Sequence, residues 1–189
     1  MPDIRNALNI QGFMYQAELE WLADRASRHS VIVEIGSWRG RSTRAIADNA
    51  PGIVYAVDTW KGTSSELENM ELLRNHHPGW LREEFNRNME GLRNVTAVQM
   101  TSLEAATYLS NIRFDMIFID ADHSYEAVKA DILAWRPLLS ENDLLCGHDY
   151  EKGFPGLVRA VRELLPEAHL ANAEGKEVGE MGFSIWTNR

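Results

Sequence analysis

The chain has a single cysteine, Cys146, among 189 residues, which excludes a disulfide framework and a cysteine-rich zinc site. No apolar run approaches the roughly 20 residues that a membrane-spanning helix needs. The opening residues, MPDIRNALNI, lack the basic and apolar regions of a signal peptide. Cations are outnumbered, 19 Lys and Arg against 28 Asp and Glu, for a net charge of −9. Such a surface repels phosphate backbones and anionic lipid, so no nucleic acid and no membrane are expected as partners. A soluble, cytoplasmic protein is the expectation. What is present is ordinary globular usage, 44% hydrophobic and 25% charged, which excludes disorder and collagen-like repeats. No linker, repeat or low-complexity tract divides the chain, so residues 1–189 are expected to form one domain.

Short apolar runs rich in Val and Ile alternate with helix-length amphipathic stretches. Val31–Ile35, Ile53–Val57, Val95–Met100, Phe114–Ile119 and Asp143–Gly147 have the length and bounding residues of buried strands. Arg41–Asn49 and Glu126–Leu139 have helical length, and a helix within Tyr15–His29 would bury Leu19, Leu22 and Ala26. Pro155–Leu165 predicts a helix with proline in its first turn, followed by strands near His169 and at Phe183–Thr187. Alternation of this kind predicts an α/β, doubly wound, Rossmann-like sheet. Gly62–Gly91 is a polar insert, expected as two short helices broken at His77-Pro78-Gly79 and acting as a lid.

The segment Val33-Glu34-Ile35-Gly36-Ser37-Trp38-Arg39-Gly40-Arg41-Ser42-Thr43 leaves a strand and enters a helix. A dinucleotide fingerprint starting at Gly36 would need glycine at the positions of Trp38 and Arg41, so a pyrophosphate cradle is excluded. Glu34 can instead offset a ligand ammonium group, while Ser42 and the helix start can receive a carboxylate. Both demands are met by the amino-acid end of S-adenosylmethionine. Asp58 ends the second strand, where a carboxylate can accept from both ribose hydroxyls. Ser102, after the third strand, either meets the adenine edge or caps a helix.

The fourth strand runs into Asp120-Ala121-Asp122-His123 and the fifth into His148-Asp149-Tyr150. In a doubly wound sheet both tips open on the same edge as the glycine turn. Carboxylates there suit Mg²⁺, and an added imidazole admits Mn²⁺ or Fe²⁺. Asp122 and Ser124 are also ready N-caps for the following helix.

The motifs VEIGSWRGRSTRAIA, VYAVDTW, FDMIFIDADHSYE and LLCGHDY together resemble small class I S-adenosylmethionine-dependent methyltransferases, from about Gly12 to Trp186. The similarity is to the catechol and caffeoyl-CoA O-methyltransferase type and to metal-dependent macrolide sugar O-methyltransferases. It implies a seven-stranded sheet with six parallel strands and an antiparallel last one. It also implies cofactor contacts from Glu34, Gly36, Ser37, Trp38, Gly40, Ser42, Asp58, Thr59, Ser102 and Asp120. Asp120 matches the metal-binding Asp, and His123 falls where the sugar enzymes carry a His base. The other metal tip departs from both types: Asp-Asn and Glu-Asp there, His148-Asp149-Tyr150 here. Asp149 fits as a ligand on either alignment. The third ligand lies between His148 and Tyr150, with His148 preferred.

The expected function is methyl transfer to a hydroxyl of a small molecule (a sugar, alcohol or catechol) with a divalent metal, Mg²⁺ before Mn²⁺. Three alternatives stand beside it. One is a metal-independent methyltransferase, and another is a non-catalytic module that binds S-adenosylmethionine or a nucleotide. An oxidoreductase with a dinucleotide comes third, weakened by the glycine spacing. A homodimer is the expected form of any assembly.

Overall fold

The computed structural model describes residues 2–62, 67–171 and 183–189. Five apolar runs form the strands β1 (Val31–Ile35), β2 (Ile53–Asp58), β3 (Val95–Gln99), β4 (Phe114–Ile119) and β5 (Leu139–Gly147). β6 (His169–Leu170) and β7 (Trp186–Thr187) follow, and the spatial order is β3-β2-β1-β4-β5-β7-β6. β7 runs antiparallel to both β5 and β6, and the pairs from β3 to β5 are all parallel. This is the expected sheet, and its strand order reverses between β1 and β4 while the strands stay parallel. A doubly wound sheet opens its ligand crevice at that reversal, at the carboxyl ends of the strands.

The register makes the crevice specific. Ile35 pairs with Val57 and with Ile119, and Ile119 pairs with Gly147. Four strands therefore end level. The next residues in each, Gly36, Asp58, Asp120 and His148, emerge side by side along one edge.

Helices cover both faces because a parallel sheet cannot leave either face to water. On one face lie α1 (Arg5–Leu8), α2 (Gln16–Ala26) and α3 (Arg41–Ala47), whose Ala7, Leu19, Leu22 and Ile46 join a core with Ile32 and Phe118. The other face carries α6 (Ser102–Tyr108), α7 (Tyr125–Trp135) and α8 (Pro155–Leu164). Trp135 is fully buried there with its ring edge-on to Phe114, centroids 5.9 Å apart. Between them in sequence, α4 (Leu67–Arg74) and α5 (Trp80–Asn88) are separated at His77-Pro78-Gly79 as expected. Leu81 and Phe85 of α5 bury against Trp60. Residues 63–66 of the expected lid lie outside the described residues.

Most boundaries fall within two residues of expectation, and three differ by more. α7 stops at Trp135, not Leu139, because Pro137 disfavours helix at the preceding residue; one 3₁₀ turn, Arg136–Leu138, ends it. β5 therefore begins at Leu139 rather than Asp143. β7 is shorter than Phe183–Thr187 because Ser184 and Ile185 accept instead from the amides of Tyr150 and Ala171. No described helix is long and apolar enough to cross a membrane.

Candidate active site

A cavity of about 1020 Å³ opens over the level strand tips. Its wall includes Gly36, Ser37, Trp38, Ser42, Asp58, Thr59, Ser102, Asp120, His123, His148 and Asp149. Of the residues expected to serve the site, only Glu34 and Gly40 are outside that wall.

Gly36 has φ +93°, and a Cβ on it would lie 1.9 Å from the Asp120 carbonyl oxygen. Only glycine lets the β1 and β4 tips approach this closely. The two residues that follow the turns of β1 and β2, Trp38 and Trp60, are left-handed at φ 47° and 52°, a costly state for bulky side chains. Asp58 holds both: Oδ2 accepts from the Trp38 amide at 2.8 Å and Oδ1 from the Trp60 amide at 2.6 Å. Burial raises the Asp58 pKa, and these amides work against the rise.

Glu34 corrects the expectation of an ammonium contact. It is fully buried beneath α3, where the Thr43 hydroxyl donates to Oε2. Strand alternation sends residue 34 under the helix while Ile35 faces the cavity. Burial pushes the Glu34 pKa up to about 7, only partly offset by the hydroxyls of Ser42, Thr43 and Ser37. Gly40 is likewise turned from the cavity: it precedes α3 at φ +86°, and a Cβ there would meet Met89 of the α5 connection at 2.6 Å.

At the β3 end, Thr101 and not Ser102 caps α6, in a capping box with Glu104. The Ser102 hydroxyl accepts from Trp135 Nε1 at 2.9 Å and donates to Asp131 Oδ1. Asp131, on α7, is 5% exposed and lines the cavity. Burial pushes its pKa up to about 6.

The opposite end holds the acids and imidazoles. Asp149 has φ +58°, which turns its carboxylate back between two rings. Its Oδ2 lies 2.9 Å from His123 Nε2 and its Oδ1 3.3 Å from His148 Nδ1. Donor atoms of Asp120, His123 and Asp149 all lie within 4.8 Å of one another. His148, the expected third ligand, sits deeper, with Nδ1 3.7 Å from Asp120 Oδ1 and Nε2 3.0 Å from Glu18 Oε1. Burial opposes charge on His148, but Asp120, Asp149 and Glu18 win and raise its pKa well above 6.5. Burial opposes charge on Asp149 too, and the two rings hold it well below the usual carboxylate range. Tyr150 is no ligand: its hydroxyl accepts from Arg162 Nε at 3.1 Å. Of the two expected caps, Ser124 takes the role by accepting from the Ala127 amide, whereas Asp122 closes the turn before it by accepting from the Ser124 amide.

Sequence reasoning missed Glu18 and Asp131. Glu18 is fully buried and accepts from the amides of Tyr15 and Ser184, joining both ends of the chain to His148. It also missed the aromatic wall. Phe13 and Tyr15 line the mouth, and Phe154 packs on the His123 ring with centroids 4.4 Å apart.

Residues 33–150 match the family described as methyltransferase domain. An uncharacterized protein of Sinorhizobium fredii, y4gI, is 30% identical over 141 residues. That match covers 69% of this chain but 14% of y4gI, so the chain spans a small part of that relative. Among solved structures, CalS11, a TDP-rhamnose 3'-O-methyltransferase of calicheamicin biosynthesis, is similar at TM-score 0.62 and 17% identity, covering 90% of this chain and 76% of that one. A Bacillus cereus O-methyltransferase in complex with SAH is similar at TM-score 0.62 and 19% identity, over 96% and 84% of the two chains. Cofactor-bound Rv0187 from MTB gives TM-score 0.65 and 20% identity, over 97% and 84%. The family match spans the glycine turn and all four level strand tips, so the chain belongs to the methyltransferase-domain family and has the class I methyltransferase fold.

Proposed function

We propose that the protein transfers the methyl group of S-adenosylmethionine to a hydroxyl oxygen of a small molecule. The observation that carries this reading is the level ending of β1, β2, β4 and β5, which puts a glycine turn, Asp58 and the Asp–His cluster around one cavity. The named functions of CalS11 and the Bacillus cereus enzyme support it.

Residues Gly36 to Ser42 receive the amino-acid end of the cofactor, without a direct contact from Glu34. Each Asp58 oxygen already accepts one amide and keeps lone-pair capacity for the two ribose hydroxyls. Thr59 continues that wall toward β3 and α6, where the base would lie, and the Asp120 end would take the methyl group. The acceptor oxygen attacks the methyl carbon, the carbon–sulfur electron pair returns to sulfur, and the hydroxyl proton must leave. His123 takes that proton on Nδ1, while Nε2 faces Asp149, which stabilises the imidazolium formed. Alignment of the two reactants at about 3–3.5 Å supplies much of the acceleration.

Two carboxylates and an imidazole suit a divalent cation, Mg²⁺ or Mn²⁺. Asp120, Asp149 and His148 Nδ1 would hold it, and when bound it would lower the pKa of the acceptor hydroxyl. A second reading has its own observation: the Asp120–His123–Asp149 triangle would make His123 the third ligand and leave the proton to water.

Calorimetry with S-adenosylhomocysteine tests the cofactor, and a methyl-transfer assay over sugars, alcohols and catechols tests the acceptor class. Micromolar binding and chelator-sensitive transfer are expected. Absence of binding, or tight binding of NAD instead, overturns the reading; full activity in EDTA removes the metal from it.

A further inference from the structure

We infer that the methyl acceptor carries an ammonium group as well as its hydroxyl, and that Glu151 binds that ammonium beside the aromatic rings of the cavity mouth. The inference rests on the methyl-transfer reading above.

From His123 the cavity runs outward between aromatic walls. One is Phe154, whose ring packs on His123 with centroids 4.4 Å apart. The other is Phe13 and Tyr15, which line the same cavity while staying 73% and 58% exposed. The strap that carries them is held in place, because Arg41 donates to the carbonyls of Ile10 and Met14 at 2.5 and 3.0 Å. Glu18 accepts from the Tyr15 amide at 2.9 Å and so ties that residue to the His148 end. Exposed rings around a cavity mouth mark the path of a ligand.

Glu151 adds a charge to that path. Its carbonyl accepts from the Phe154 amide at 3.1 Å, which closes a turn whose two ends both line the cavity. Among the described residues, no hydrogen bond or ion pair engages the Glu151 carboxylate. Lys152 beside it is exposed and outside the wall. The only lysine or arginine residues in the wall are Arg39 and Arg41, at the glycine turn. Both are engaged, Arg39 with Gln11 and Glu84 and Arg41 with the strap. Against them the wall sets Asp58, Asp120, Asp122, Asp131, Asp149 and Glu151. A field of that sign draws cations and repels an acceptor that bears a carboxylate or phosphate. A carboxylate next to aromatic faces is the combination that recognises an ammonium.

The charge also decides which atom is methylated. A protonated amine has no lone pair, so a nitrogen held at Glu151 cannot attack the sulfonium methyl. The hydroxyl oxygen beside His123 attacks instead.

Titration calorimetry on the protein loaded with S-adenosylhomocysteine, with and without Mg²⁺, tests the inference. The probes are tyramine, 4-ethylphenol and 3-(4-hydroxyphenyl)propionate, which share a phenol and differ in the charge of the tail. Tyramine should bind roughly 10-fold more tightly than 4-ethylphenol, the worth of one hydrogen bond to a charged group, and the propionate should bind weakest. Glu151→Gln should bring tyramine down to the level of 4-ethylphenol while S-adenosylhomocysteine still binds. Equal affinity for tyramine and 4-ethylphenol, no tyramine binding, or an undiminished preference in Glu151→Gln overturns the inference. So does a preference that Mg²⁺ abolishes, because the ammonium would then be filling the Asp120–Asp149 corner. Each of these outcomes leaves the cofactor reading standing, whereas a protein that does not bind S-adenosylhomocysteine removes that reading and the inference with it.

Discussion

Oε1 of Glu18, on α2, lies 3.0 Å from Nε2 of His148 at the tip of β5, and the pair is almost entirely shut off from water. The ring's other nitrogen faces Asp149 and Asp120. A carboxylate behind a histidine fixes the ring's orientation and raises its basicity toward whatever the front nitrogen meets. Removing Glu18 takes one of three carboxylates from the buried His148 charge, and loss of a partner from a buried pair costs up to about 3–5 kcal/mol. Glu18→Ala should therefore lower unfolding free energy by that order in urea titrations of the metal-free protein. The sign follows from both partners. Glu18 has a lowered pKa, so its contribution is present above 4.5 and lost as pH falls. His148 has a raised pKa, so its contribution is complete below 6.5 and lost as pH rises through the folded value. The difference between wild type and Glu18→Ala should peak between about 4.5 and 6.5. A flat difference across that window would count against the ion pair.

That pair also marks the limit of what could be foreseen. The strands were legible because β-branched runs bounded by Gly, Asp and Asn have few other uses, and their order follows from the doubly wound pattern. The strand-tip acids were legible because a charge at the end of an apolar run is expensive unless it works. Glu18 and Asp131 sit in helices, where an acid is unremarkable by type. The signal was positional. Glu18 shares a face with Leu22, and Asp131 with Val128 and Trp135, all buried. An acid on an apolar helical stripe needs a partner from elsewhere in the fold, and only the structure names it. Glu34 was misjudged for the converse reason. Its place near a strand tip is visible in the sequence, but the closure of α3 over it is not.

Glu34 gives a pH prediction of opposite sign. Its folded pKa stands near 7 against 4.5 in the unfolded chain, so the folded state binds more protons between those values. Stability should then fall as pH rises from about 4.5 to 7, by roughly 3 kcal/mol at most. Glu34→Gln removes the titrating group and should flatten this slope in denaturation profiles. A mutant with the wild-type slope would show that some other group carries it.

Asp58 is asked to do two things at once. It holds the left-handed backbones of Trp38 and Trp60 and, on the proposed reading, accepts the ribose hydroxyls. Asp58→Ala should weaken S-adenosylhomocysteine binding by about 1.5–3 kcal/mol, the range for hydrogen bonds to a charged group. It should also lower stability, because two strained residues lose their anchor. Asp58→Asn keeps one acceptor oxygen and should fall between. Unchanged calorimetric affinity in both variants would remove Asp58 from the cofactor site.

The last prediction separates the two roles open to His123. Its Nε2 is 2.9 Å from Asp149 Oδ2, and its ring rests on Phe154. As a base, it would leave the divalent site of Asp120, Asp149 and His148 intact when removed. His123→Ala should then depress kcat about 10²–10⁴-fold, the usual contribution of a general base, with Mn²⁺ affinity nearly unchanged by paramagnetic resonance. As a ligand within the Asp120–His123–Asp149 triangle, its loss should weaken Mn²⁺ binding, and saturating metal should restore much of the rate. Asp120→Ala is the reference for a lost ligand: it should abolish metal binding while S-adenosylhomocysteine still binds. A His123→Ala enzyme with wild-type kcat and wild-type Mn²⁺ affinity would exclude both roles. The imidazole would then serve only to hold Asp149 in its left-handed turn, a task that a shortened side chain cannot perform and that a drop in melting temperature would reveal.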